Sequence, residues 1–212
     1  MSRGLNLLEI SLVNLVYFFT AFVCEIPTGA AADVCGRKVS FVLSCFLFAA
    51  GMFIYAVSNS FLVFALAEGI AALGKTFASG AFQAWLVDRA KYLGYEGSFN
   101  RVFAQERQVT YGVSLAGAFF GAFLADKDMA LPWVLGGATL LCAGILAAVL
   151  MKEEYFQRRV LGFSEGLRSM KESVSLSIDY GLKNDTIRFI LFLGLAQSFA
   201  TPAVDVQWQP YL

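Results

Sequence analysis

The 212-residue sequence contains no histidine. That absence removes the commonest general base, the centre of any Ser-His-Asp triad and the zinc motif H-E-x-x-H. Cysteine is scarce: Cys24, Cys35, Cys45 and Cys142 form no C-x-x-C pair, so neither a thiolate zinc site nor a dithiol redox motif is spelled, and no metal site is expected. All four lie in or beside apolar segments and are expected as buried thiols. Charge of one sign is missing too. Lys+Arg and Asp+Glu are equal at 16 each, which gives no basic excess for nucleic acid and no acidic tail. At the start of the chain, Glu9 breaks the apolar run and no small-residue cleavage site follows, so a removable signal peptide is not expected.

What remains is apolar. Hydrophobic residues make up 58% of the chain, charged residues only 15%, and the mean hydropathy is +0.65, beyond the usual apolar share of a soluble domain. Six runs, at about 5–27, 39–58, 61–87, 103–125, 131–151 and 189–212, are long enough to cross a bilayer as helices. Short turns at Asn59-Ser60 and Asp126-Lys127-Asp128 make their neighbours antiparallel. The expected fold class is therefore an all-α membrane protein, a polytopic helical bundle with six transmembrane helices.

Orientation follows from the distribution of basic residues. Twelve of the 16 (Arg37, Lys38, Arg89, Lys91, Arg101, Lys152, Arg158, Arg159, Arg168, Lys171, Lys183 and Arg188) fall on one side, against Arg3 and Lys127 on the other. The first side is assigned to the cytoplasm. Three regions follow: a five-helix lobe over 1–151, a polar connection over 152–188, and a further helix over 189–212. Within the connection, Leu167, Met170, Val174, Ile178 and Leu182 recur at helical spacing behind a possible Ser164 N-cap. That pattern suits an amphipathic helix along the cytoplasmic face, with a solvated linker as the alternative. The last run ends without a polar tail, so the chain is expected to be part of a longer membrane protein.

The first two runs are joined by Gly29-Ala30-Ala31-Ala32-Asp33-Val34-Cys35-Gly36-Arg37-Lys38, expected as a cytoplasmic loop. Asp33 stands one turn before Arg37, and Asp88 closes another span on the same side, so two carboxylates and a guanidinium can meet where helix ends leave partial charges. The alternative is ordinary anchoring by Arg37 and Lys38 alone. Glu25-Ile26-Pro27-Thr28-Gly29 leading into Gly29-x-x-x-Asp33-x-x-Gly36-Arg37-Lys38 resembles the signature loop between the second and third helices of major facilitator superfamily transporters. Val34 stands where that family usually places a basic residue. Glu68-Gly69, Ser79-Gly80 and Gln83 to Asp88 are similar to the fourth helix of sugar- and drug-type members, and Trp208 to Leu212 to the outer end of the seventh. The resemblance implies helices two to seven of a truncated fold of that family, with Gly29, Asp33, Gly36, Arg37, Lys38 and Asp88 as a conformational switch. It also implies a secondary active transporter that moves a small solute across the cytoplasmic membrane by alternating access, as symport or antiport with a coupling proton or ion. No cofactor and no enzyme activity are expected.

Ionisable groups at membrane depth are costly and usually face a cavity or a partner. Glu68, Ala72, Lys75, Ser79 and Gln83 are spaced to share one helix face, and Glu68 and Lys75 stand two turns, roughly 10 Å, apart along the axis. They share a substrate or an ordered water, or else Glu68 snorkels outward while Lys75 bonds a neighbouring helix. Asn14, on a face with Glu25, completes the candidate substrate or proton-coupling set of Glu68, Lys75, Gln83 and Asn14. Gly112, Ala116, Gly117 and Gly121 supply small-xxx-small pairs for close helix approach. Leu115 to Ala118 carries no proline where many drug/proton antiporters have Gly-Pro, which argues against that subclass.

Two motif matches are set aside. Gly69 to Thr76 fits G-x-x-x-x-G-K-[ST], but a phosphate-cradling loop must follow a strand, and this one lies inside an apolar span. Gly162 to Gly166 fits G-x-S-x-G without a histidine to activate the serine. A membrane protein that binds or assembles without transporting is the rival from another class, with the amphipathic segment as its docking surface.

Overall fold

The computed structural model describes residues 5–154, 183–190 and 192–194. Six helices order the first stretch: α1 (Leu7–Cys35), α2 (Arg37–Val57), α3 (Phe61–Ala78), α4 (Ala81–Tyr92), α5 (Phe99–Ala125) and α6 (Leu131–Leu150). No strand occurs among the described residues. With α3 and α4 taken as one path, five helical stretches there are long and apolar enough to cross a membrane. The chain divides into two units, 1–160 and 161–212. In the second, residues 185–190 and 192–194 are helical; the Asn184 side chain accepts from the Thr186 and Ile187 amides, and Arg188 pairs with Asp185 at 3.1 Å. Most of the expected sixth span and the whole apolar pattern from Leu167 to Leu182 lie outside the described residues, as does Gly162 to Gly166.

The start of α1 is set by a capping box. The Asn6 side chain accepts from the Glu9 amide at 2.8 Å, and the Glu9 carboxylate accepts from the Asn6 amide at 2.8 Å, so two of the orphan N–H groups at a helix start are satisfied. Glu9, which interrupts the apolar run, is thus the third helical residue, whose carboxylate closes the cap on Asn6. α1 then continues for 29 residues, about 43 Å at 1.5 Å per residue, against a hydrocarbon core of about 30 Å. The surplus corrects the loop expected at Gly29 to Lys38: Gly29 through Cys35 are helical, and the chain breaks only at Gly36. Gly36 has φ 102°, a conformation a side chain strains to adopt, and α2 begins at the next residue. Pro27 sits inside α1 and lacks the N–H that would bond four residues back; beside it the buried Thr28 hydroxyl donates to the Cys24 carbonyl at 2.8 Å.

The third expected span is also corrected. It divides at Ser79-Gly80, where Gly80 takes φ 69° and starts α4 afresh. Gly69 through Thr76 nevertheless lies wholly within α3, so the P-loop match forms no phosphate loop.

α2 is the centre of the bundle, flanked by α3 and α6, with α1 packed on the far side of α3. Its contacts depend on small residues. A methyl group at Gly74 would stand 2.7 Å from the Phe48 amide nitrogen, and one at Gly51 would stand 2.9 Å from the Ala67 carbonyl, so α2 and α3 meet backbone to backbone. On the other side, methyl groups at Gly144 and Gly137 would reach Cys45 and the Phe53 ring at 2.9 Å. The small residues expected to serve packing were those of α5, and these find no partner among the described residues. Gly112, Gly117 and Gly121 have nothing within 4 Å, and no residue of α5 is buried among the described residues. Only one thiol behaves as expected: Cys45 is buried, while Cys35 and Cys142 are exposed and Cys24 is intermediate.

Candidate functional site

Two places bring polar side chains together, at opposite ends of the bundle. The first is the junction of α1 and α2. Arg37 Nη2 lies 2.7 Å from Asp33 Oδ1, the one-turn pair expected from spacing. α2 has no cap from its own Gly36, and the deficit is met from a distance in sequence: Glu153 Oε1 accepts from the Arg37 amide at 2.6 Å and from the Lys38 amide at 3.2 Å. A carboxylate on the positive end of a helix dipole with two N–H donors is a charge-assisted cap. It ties the residues just past α6 to the start of α2.

Asp88 does not join this cluster. It is half-buried on α4 and forms no ion pair among the described residues, so Glu153 fills the place foreseen for it. Its neighbour Arg89 instead pairs with Glu154 at 2.8 Å and lies over the Tyr92 ring at 5.4 Å. The hydrogen bond from Arg89, and then its charge, hold the Glu154 carboxyl below its ordinary range. Trp85 Nε1 donates to the Lys152 carbonyl at 3.1 Å, a second tether from α4 to the same segment. Lys152, Glu153 and Glu154 thus hold α2 and α4 together through one backbone carbonyl and two carboxylates. Sequence reasoning missed both glutamates because they follow a span end with no motif around them; their available signal was an acidic pair among the basic residues of that side.

The second place lies towards the opposite end, between α1, α2, α3 and α6. A cavity of about 140 Å³ is lined by Glu68 with Tyr17, Phe48, Met52, Tyr55 and Trp133. Its floor is the small-residue seam of Gly51, Ala67 and Ala71, where the close approach of α2 and α3 leaves no side chain to fill the space. Tyr55 and Trp133 stack with centroids 4.2 Å apart and planes at 30°, and Phe64 meets Tyr55 edge-on at 4.8 Å. Glu68 is half-buried, and its carboxylate has no hydrogen bond or ion pair among the described residues.

The other candidate substrate residues do not gather there. Lys75 is exposed and does not line the cavity, while Ala72 between it and Glu68 is fully buried, so the proposed shared face is not a single surface. Gln83 is exposed on α4, beyond the break at Gly80. The Asn14 side chain bonds back to the Ile10 carbonyl at 3.0 Å within its own helix. Arg107 is exposed on α5 and forms no ion pair among the described residues. The aromatic walls of the cavity were not foreseen, since Tyr17, Tyr55 and Trp133 come from three helices and meet only through packing.

Comparison with known proteins agrees with the helical architecture. The family model described as Major Facilitator Superfamily matches residues 2–206. The chain is similar to an uncharacterized MFS-type transporter, YxaM, of Bacillus subtilis strain 168, at 24% identity over 214 residues, covering 100% of this chain and 52% of that protein. The chain therefore spans about half the length of the curated relative it matches. No solved structure matches it.

Proposed function

The chain belongs to the Major Facilitator Superfamily of transporters, and from that premise we propose that it serves secondary active transport of a small solute across the cytoplasmic membrane by alternating access. It is a multi-pass membrane protein by family and by its apolar helices. The observation that carries the reading is the α1–α2 junction, where the Asp33–Arg37 pair and the Glu153 cap close one end of the bundle with short charge-assisted contacts.

Such an end is suited to two states. The Gly36 break lets α1 and α2 pivot, and release of Glu153 would leave the α2 N-terminus free to take another anionic partner. Residues 1–151 make the lobe that rocks; the connection expected over 152–188 and the further span expected over 189–212 lie mostly outside the described residues. Gly29, Asp33, Gly36, Arg37 and Lys38 make the switch, with Glu153 replacing Asp88. At the opposite end Glu68 is the solute- or proton-linked group; Asn14, Lys75 and Gln83 stand apart from its cavity.

The test is gradient-driven accumulation of a solute panel in vesicles from cells expressing the gene that carries this sequence. Accumulation above control vesicles, collapsed by an uncoupler, is expected. Glu68→Gln should abolish it while leaving solute exchange partly intact. Absence of solute-specific uptake under every imposed gradient would refute transport, and unchanged accumulation in the variant would remove Glu68 from the mechanism.

A further inference from the structure

The Glu68 cavity has a chemistry of its own. Glu68 is the one charged residue among those that line it, and a half-buried carboxylate without a hydrogen bond or ion pair is costly at membrane depth. No basic residue lines the cavity; Lys75, the nearest on the same helix, is two turns away and exposed. The missing counter-charge is therefore one that a ligand can bring.

The rest of the lining decides what kind of cation. A hard metal ion takes six or more oxygen ligands, whereas this cavity offers one carboxylate, and no group of three or more metal-ligating side chains occurs among the described residues. Aromatic rings dominate instead. Tyr17, Phe48, Tyr55 and Trp133 arrive from α1, α2 and α6, and ring faces attract organic ammonium groups in the manner of aromatic cages. Size narrows the class further. At about 140 Å³ the space is several times the share of a single water, about 30 Å³, and well below a drug-sized pocket of about 300–1,000 Å³.

We propose that this cavity binds a small methylated ammonium group, its charge on the Glu68 carboxylate and its methyls against Tyr17, Tyr55 and Trp133. The ammonium is carried by a free solute or by a lipid headgroup. This names a ligand class for the site invoked above. It rests on the transport reading only in taking the bound cation as the solute, so the decisive measurement is binding, which stands or fails apart from uptake.

The experiment uses the protein encoded by the gene that carries this sequence, in nanodiscs of phosphatidylglycerol, titrated with radiolabelled choline and, by competition, with 3,3-dimethylbutan-1-ol, its neutral isostere. Saturable choline binding is expected, with the alcohol at least tenfold weaker. Glu68→Gln should weaken choline at least tenfold. Trp133→Leu should weaken it several-fold, and Trp133→Phe should restore most of the loss. Repeating the titration in phosphatidylcholine nanodiscs separates the sources: a headgroup occupant lowers the apparent affinity for free choline, and a free solute leaves it unchanged. Equal affinity for choline and the alcohol, no saturable choline binding in phosphatidylglycerol, or full affinity in a folded Glu68→Gln protein would overturn the proposal. If that variant does not fold, the comparison of isosteres on the unaltered chain decides.

Discussion

Substituting Gly74 by alanine tests whether the α2–α3 seam is as close as its geometry states. The added methyl would stand 2.7 Å from the Phe48 amide nitrogen, 3.0 Å from the Ser44 carbonyl oxygen and 3.1 Å from the Phe48 Cα. All three are backbone atoms, so relief requires the helices to separate rather than a side chain to turn. Overpacking of this kind costs about 1–3 kcal/mol. Against it stands the gain from replacing glycine inside a helix, about 0.8–1.0 kcal/mol. The same gain accrues to Gly117→Ala on α5, where the new methyl meets nothing within 4 Å. Propensity therefore cancels between the two variants, and their difference isolates the seam at about 1–3 kcal/mol. At about 2–4 °C per kcal/mol for chains of this size, melting in mild detergent followed by circular dichroism should separate them by roughly 2–12 °C, with Gly74→Ala the lower. Equal midpoints, or a more stable Gly74→Ala, would show that α2 and α3 do not meet backbone to backbone.

The remaining predictions concern the two ends and the α3–α4 break. Glu153→Ala leaves the first amides of α2 without their acceptor, so stability should fall by about 0.5–2 kcal/mol, while Glu153→Asp, one methylene shorter, should fall between; detergent melts would measure both, and an unchanged midpoint would remove the cap. The Glu154 carboxyl should titrate below its ordinary 4.5 and return towards it in Arg89→Gln, as followed by carboxyl NMR. Because the folded carboxyl is the more acidic, its contribution is present above the ordinary value and is lost as pH falls through the folded one; a midpoint indifferent to Arg89 would contradict the pair. With Cys35 as the sole cysteine, a membrane-impermeant maleimide should label inside-out vesicles and spare right-side-out ones, and the reverse pattern would invert the assigned orientation. Gly80→Ala should cost about 1–2 kcal/mol from its positive φ alone, since nothing lies within 4 Å of the added methyl, and Gly80→Asn should cost less.

What was legible in the sequence divides along the distance over which each interaction acts. Spans, turns and the Asp33–Arg37 pair are local: apolar runs of bilayer length and a charge pair one turn apart are written in consecutive residues, and the pair and the first, second, fourth and fifth runs appear as helices close to where they were expected. Helix continuity was misjudged in both directions. Gly29 and the run Ala30 to Ala32 suggested a loop, yet alanine is the best helix former, and the break falls at Gly36, where a positive φ is needed. Ser79-Gly80 lay inside an unbroken apolar run, and only the backbone angle of Gly80 shows that a new helix begins there. The cross-chain contacts were not legible at all, because Glu153 lies 116 residues from Arg37 and no periodicity connects them.

The misplaced small residues bear on how the two sites are related. Glycines on α5 have the small-xxx-small spacing but no partner among the described residues, whereas Gly51 and Gly74, on different helices and with no such spacing between them, bring α2 and α3 together backbone to backbone. Spacing states that a helix can be approached closely; it does not state by what. The seam they form has two consequences along one line. At Gly51 it leaves the floor of the Glu68 cavity bare, and at Gly74 it clamps α3 to α2 on the way towards the end that Glu153 caps. Under the proposed pivot of α2 at Gly36, the seam would carry α3 along, and the wall bearing Glu68 would move with the floor rather than against it. In that motion the walls free to move relative to the floor are those of α1 and α6, which supply Tyr17 and Trp133.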